Sequence, residues 1–162
     1  MGERDSLALF CRVVLCPCSV VSDSPAQIQF VIDADLIPPI IAQLTTGDQV
    51  VRKEAAWCAA RVLQVGSDEQ IRFVVSLGVL PALLSYLKGS RFIDSQTVIT
   101  CLEGLEHLLR VGVEADSAMA HSTNVYAAAL QAHGARETIA ALQSHNDEAI
   151  ATLATKIMIS LG

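Results

Sequence analysis

Apolar residues recur along this chain at helical spacing, and the pattern comes round again. Gln27-Ile28-Gln29-Phe30-Val31-Ile32 is echoed by Gln70-Ile71-Arg72-Phe73-Val74-Val75. Leu36-Ile37-Pro38 with Ile40-Ile41 is echoed by Val79-Leu80-Pro81 with Leu83-Leu84. Pro38 and Pro81 stand 43 residues apart, and Val62-Leu63 precedes its counterpart Leu108-Leu109 by 46. The longer second interval belongs to the loop around Gly89 to Ile93. A period of this size is the mark of stacked multi-helix units.

Local signals predict three helices per unit. Ser24 with Gln27 and Ser67 with Gln70 read as capping boxes, and Pro25 suits a first helical position. Asp35 and Gly78 occupy equivalent places where the first helices close. Pro38 and Pro81 open short second helices. Long third helices start near Asp48 and Asp94 and end at Gly66 and Gly112. A polar connector follows from Gly112 to Asn124. A further helix then runs to about His133, with Gly134 as its cap, and a short one covers Arg136 to Leu142. Asn146 caps a last helix ending at Leu161, with Asp147 and Glu148 in its first turn.

The third helix of the first unit is apolar on two sides. Val51, Ala55, Cys58 and Val62 line one, and Ala56, Ala59 and Leu63 the other. A helix buried on both sides needs a neighbour before and after it, which is the condition of a solenoid. The expected fold is therefore all-α, with two full three-helix repeats and a degenerate C-terminal capping repeat. The units fall at about 24–66, 67–112 and 124–162 within an array spanning 23–162. Residues 1–22 form a divergent N-terminal segment, expected to supply a partial helix that caps the array.

Composition narrows the function classes. The chain has 162 residues, 52% of them hydrophobic and 17% charged, which suits one compact domain and excludes a disordered chain. Aromatics are only 4%, so the core must be aliphatic. The net charge of −6, with Lys and Arg scattered, argues against nucleic acid as partner and fits a basic peptide. Five Cys at irregular spacing do not make a disulfide framework, and no zinc-ligand spacing joins them to the four His. Cys58 and Cys101 read as small core residues, which points to a reducing, intracellular compartment.

The apolar run from Leu7 to Val21 is broken by Arg12, Pro17 and Ser19 and is too short to cross a bilayer, so no membrane partner is expected. Met1-Gly2 with Ser6, and Cys11, Cys16 and Cys18, match a loose acylation pattern. Glu3 disfavours it, and the other reading is a helix covering the first apolar face. The sequence has no phosphate loop, metal motif or nucleophile elbow, and His107 has no supported Ser or Cys partner. Neither an enzyme nor a cofactor is expected.

Several dispersed segments resemble one family. Gln27 to Ala34, Lys53-Glu54-Ala55-Ala56-Trp57, Cys101-Leu102-Glu103-Gly104-Leu105-Glu106 and Leu142-Gln143-Ser144-His145 resemble the C-terminal armadillo repeats of importin-alpha, in the right order over about Pro25 to Leu161. The resemblance implies an armadillo-repeat right-handed superhelical solenoid. It implies an adaptor for basic nuclear-localisation peptides of cargo proteins, working in cytoplasm and nucleus. The last repeats of that family also contact the recycling export receptor. The segment that binds importin-beta and the repeats of the main cargo site are not matched.

In that family the third helices line a groove. A Trp on each forms slots for Lys or Arg stems, an Asn four residues later clamps the ligand backbone, and nearby acids hold the charges. Trp57 matches the Trp, and Glu54 lies one turn earlier on the same side. Arg61 stands where the family has Asn, which loses a clamp of about 1 kcal/mol. It also brings a cation beside a cationic ligand, at about 1 kcal/mol of repulsion in water and about 4 at an effective dielectric near 20. Glu103 and His107 take the groove positions of the second unit. Two readings stay open. Trp57, Glu54, Arg61, Glu103 and His107 form a peptide site, or the chain is a truncated or vestigial scaffold that folds without binding cargo usefully.

Overall fold

The computed structural model describes residues 24–89, 94–116 and 124–162; the expectations for residues 1–22 lie outside them. Among the described residues the chain forms nine α-helices and no strand. They fall into three sets: α1 Pro25–Asp33, α2 Ile37–Thr46 and α3 Gln49–Val65; α4 Asp68–Ser76, α5 Val79–Lys88 and α6 Ser95–Asp116; α7 Val125–Ala132, α8 Ala135–Leu142 and α9 Glu148–Leu161. The third helices stack, α3 on α6 and α6 on α9, with α2 against α3 and α5. The third set has the three helices expected of the C-terminal repeat.

Each bend between a first and second helix needs one left-handed residue. Asp35 (φ 55°), Gly78 (φ 91°) and Gly134 (φ 76°) supply it at equivalent points. Gly is the cheap choice there, and Asp is among the few other residues that tolerate it. The third helices start on Asp caps. Asp48 Oδ1 accepts from the Val51 amide at 2.9 Å, and Asp94 Oδ2 from the Thr97 amide at 3.2 Å. For α9 the cap is Asp147, which accepts from the Ala149 amide at 3.0 Å, and not the expected Asn146. His145 Nδ1 takes the Asp147 amide at 3.0 Å, which turns the Asp147 carboxylate toward the helix.

The Ser67–Gln70 capping box forms on both arms. The expected box at Ser24 does not, since Ser24 sits at φ −145° and makes no side-chain cap bond, against φ −66° for Ser67. Gln70 has a second task. It is buried, and its Nε2 donates to the Pro25 carbonyl at 2.8 Å and to Gln29 Oε1 at 2.9 Å, tying α4 to α1.

The core is aliphatic and continuous through the stack. Ala55, Ala56, Ala59 and Ala60 of α3 are buried, as are Cys101, Leu102, Leu105 and Leu108 of α6. Each buried Leu contributes roughly 1.5–3 kcal/mol. Cys58 and Cys101 are both buried, and Tyr86 is buried too, as packing residues would be. Gly104 lets α6 meet α3 closely: a Cβ there would stand 2.9 Å from the Ala60 carbonyl oxygen.

Gly112 does not end α6, which continues to Asp116. Its bare Cα leaves room for the Asn124 side chain, which donates to the Leu109 carbonyl at 2.8 Å and accepts from the Tyr126 and Ala127 amides at 3.1 Å. The Gly at this point docks the next unit's cap onto α6 instead of stopping the helix.

Candidate peptide-binding face

The Asp caps set a common register for the third helices. Trp57, Glu103 and Lys156 each stand nine residues beyond Asp48, Asp94 and Asp147. Arg61, His107 and Ser160 each stand thirteen beyond. Because the three helices pack in succession, these positions form one strip across α3, α6 and α9.

Trp57 is half-buried, with its indole packed against the core and its remaining surface open. Arg61, one turn on, lies over the ring with its Cζ 5.9 Å from the centroid. Arg61 Nη1 donates to Gln64 Oε1 at 2.7 Å. Gln64 Nε2 in turn donates to the Thr100 carbonyl and to Glu103 Oε2, each at 3.1 Å, across the α3–α6 boundary. Trp57, Arg61 and Glu103 are thus brought into one connected group.

The other two expected residues lie apart from it. Glu54 is half-buried and lines a cavity of about 660 Å³ with Arg52, Lys53, Tyr86 and Asp94. There Arg52 stacks over Tyr86 at 5.8 Å, and Lys53 Nζ pairs with Asp94 Oδ2 at 3.3 Å. The Asp94 carboxyl is slightly desolvated, but its bonds to Thr97 and Lys53 outweigh that and hold it below the usual carboxylate range. Burial, with a smaller push from Cys101, raises the Tyr86 hydroxyl far above its ordinary value. His107 is half-buried and engaged along its own helix, its Nδ1 2.8 Å from Arg110 Nη2. An arginine can only donate, so in this geometry Nδ1 is the acceptor.

Between α6 and α9 the strip opens into a shallow cleft of about 440 Å³ lined by Ile99, Glu103, Glu148, Thr152, Leu153 and Lys156. Lys156 Nζ lies 4.0 Å from Glu106 Oε1. Sequence reasoning overlooked Gln64, whose role depends on a neighbour on another helix. It also overlooked Lys156, which counting from the Asp caps would have found. Where the first unit has Glu54, the second has Thr100, buried and bonded to the Gln96 carbonyl of its own helix. The acid one turn before the groove position therefore does not recur. Among the described residues no group of three or more His, Cys, Asp and Glu could hold a metal ion. No single helix there is long and apolar enough to cross a membrane.

Comparison with known proteins agrees with this architecture. The Armadillo/beta-catenin-like repeat family matches residues 24–60. Importin subunit alpha-4 of Arabidopsis thaliana is 33% identical over 142 residues, covering 86% of this chain and 26% of that protein. Importin subunit alpha-1a of Oryza sativa subsp. japonica is 34% identical, covering 86% of this chain and 34% of that protein. The chain therefore spans about a quarter to a third of the length of the curated relatives it matches. Computationally designed armadillo repeat proteins for modular peptide recognition superpose with a TM-score of 0.73 at 19% identity, covering 99% of this chain and 60% of theirs. A designed armadillo repeat protein in complex with the peptide (KR)4 does so with a TM-score of 0.69 at 19% identity, covering 99% and 70%. At that identity the designed proteins speak for the fold alone. With the repeat match, the stacked three-helix sets and the relatives all pointing one way, the chain has the armadillo-repeat fold and is similar over most of its length to part of importin subunit alpha.

Proposed function

We propose that the strip on α3, α6 and α9 is a peptide-binding groove, and that the chain is a protein-binding adaptor for basic segments. One observation carries the reading: a half-buried indole, Trp57, stands on the third helix of an armadillo unit, linked through Arg61 and Gln64 to the Glu103 carboxylate of the next unit, with Glu54 lining the neighbouring cavity. Glu103 and Glu148 add acids along the same strip, and Ile99 and Leu153 add apolar surface for a Lys or Arg stem. His107 borders the groove as a hydrogen-bonding side chain. The relatives named importin subunit alpha make nuclear-localisation peptides the leading ligands, and nuclear protein import, in cytoplasm and nucleus, the leading setting. A transport receptor that recycles such adaptors is a further partner on this reading.

The test is titration of a labelled bipartite localisation peptide. A cation over an indole contributes roughly 0.5–2 kcal/mol, so Trp57→Ala should weaken binding by about three- to thirtyfold. Binding should also weaken as salt rises, since it is driven by charge. Affinity unchanged by Trp57→Ala removes this site. A second reading, a scaffold that folds but binds no cargo usefully, draws on the cations Arg61 and Lys156 on the strip. Absence of saturable binding at moderate salt would decide for it.

A further inference from the structure

The cation position above Trp57 is already filled. Arg61 follows Trp57 by one helical turn, and its guanidinium lies over the indole, Cζ to centroid 5.9 Å. An indole face attracts one cation at a time, so a ligand guanidinium or ammonium and Arg61 compete for it.

Arg61 is held there by a link with only one polarity. The Thr100 carbonyl and the Glu103 carboxylate can only accept, so the Gln64 NH2 must face α6. That leaves Gln64 Oε1 turned back along α3, where it accepts from Arg61 Nη1 at 2.7 Å. Through one amide, the Glu103 carboxylate on the next unit fixes the arginine on this one. The same amide occupies Glu103 Oε2, the second group a basic ligand would seek.

We propose that Arg61 is an internal occupant of the Trp57 slot, tethered by Gln64 and Glu103, and that it sets which basic peptides the groove accepts. The inference rests on reading the face as a groove for basic peptides. A Lys or Arg side chain reaches the indole only by displacing Arg61, whereas the α6–α9 cleft beside Ile99 and Leu153 stays open to it. Arg61 therefore lowers, without abolishing, the hold of Trp57 on a basic segment, while the cleft one unit further along offers an unobstructed position.

The experiment compares labelled (KR)4 binding to the wild-type chain, Arg61→Ala, Gln64→Ala, Trp57→Ala and the Arg61→Ala/Trp57→Ala double variant. Arg61→Gln serves as a second neutral replacement, and helix content is checked by circular dichroism. Arg61→Ala should tighten binding by about tenfold, Gln64→Ala by less, and the gain should vanish in the Trp57→Ala background. Trp57 is the single Trp of the chain, so its emission gives a readout without peptide. Quenching by neutral acrylamide should rise when Arg61 is removed.

Affinity equal to or weaker than wild type in both Arg61 variants overturns the proposal. So does a gain that survives Trp57→Ala, because it would then reflect bulk charge alone. If no variant binds (KR)4, it is the peptide reading that fails. In that case a rise in quenching still supports Arg61 on the indole, and unchanged quenching overturns that too.

Discussion

Replacing Gly104 by Ala sets helix propensity against helix packing. Gly104 lies in the middle of α6, where Ala is favoured over Gly by about 1 kcal/mol. A Cβ there would meet the Ala60 carbonyl oxygen at 2.9 Å, its Cα at 3.4 Å and its carbonyl carbon at 3.5 Å. Relief requires α3 and α6 to part by about half an ångström along a close-packed boundary. Overpacking of that kind costs roughly 1–3 kcal/mol. After the propensity gain, Gly104→Ala should lose up to about 2 kcal/mol, and the melting temperature should fall by up to about 8 °C for a chain of this size. The obstructing atoms belong to the backbone, so trimming Ala60 to Gly in the same chain should not restore stability. Gly104→Val should be worse than Gly104→Ala. Urea and thermal melts followed by far-UV circular dichroism measure all three. A Gly104→Ala chain more stable than wild type would show that propensity wins and that the close approach of α3 and α6 is no constraint.

Two further outcomes follow from buried groups. Gln70→Leu removes the bonds from α4 to Pro25 and Gln29 and strands the Ser67 amide of the capping box, so urea denaturation should show a loss of about 1–3 kcal/mol. A neutral Gln70→Leu would mean that this latch between the first two units contributes nothing. Burial pushes the Cys101 thiol up to about 12 from an ordinary 9.0, so the folded chain keeps a proton that the unfolded chain releases. That contribution is complete below about pH 9 and is lost as pH climbs toward about 12. The urea midpoint should fall across that interval, and less steeply in Cys101→Ala. An identical slope in the two proteins would contradict the assignment to this thiol. Tyr86, raised chiefly by burial, adds a fall of the same sign that both proteins share.

Much of the stack is legible in the amino-acid sequence, because its determinants are local. The echo of Gln27–Ile32 in Gln70–Val75, the Asp48 and Asp94 caps and the bends at Asp35 and Gly78 act within a turn or two of chain, where residue type governs backbone geometry. The two apolar sides of α3 already demand neighbours before and after it. Expectation and structure part where two local signals compete. Gly112 carries a stop signal, yet its contact with Asn124 puts it inside a continuing helix, and Asp147 takes the cap expected of Asn146.

The candidate site was legible as a set of residues but not as an arrangement. Trp57, Arg61 and Glu103 share a helical phase that sequence alone determines, since the register counted from the Asp caps is a property of spacing. That Arg61 lies on the indole, that Gln64 joins it to Glu103, and that His107 turns to Arg110 were decided only by packing. The reason is that long side chains choose among several rotamers of similar local energy. A neighbour contributed by the next unit, such as the Thr100 carbonyl, selects one of them. Spacing therefore determined which groups face the strip, and the approach of α6 to α3 decided which of them are already engaged.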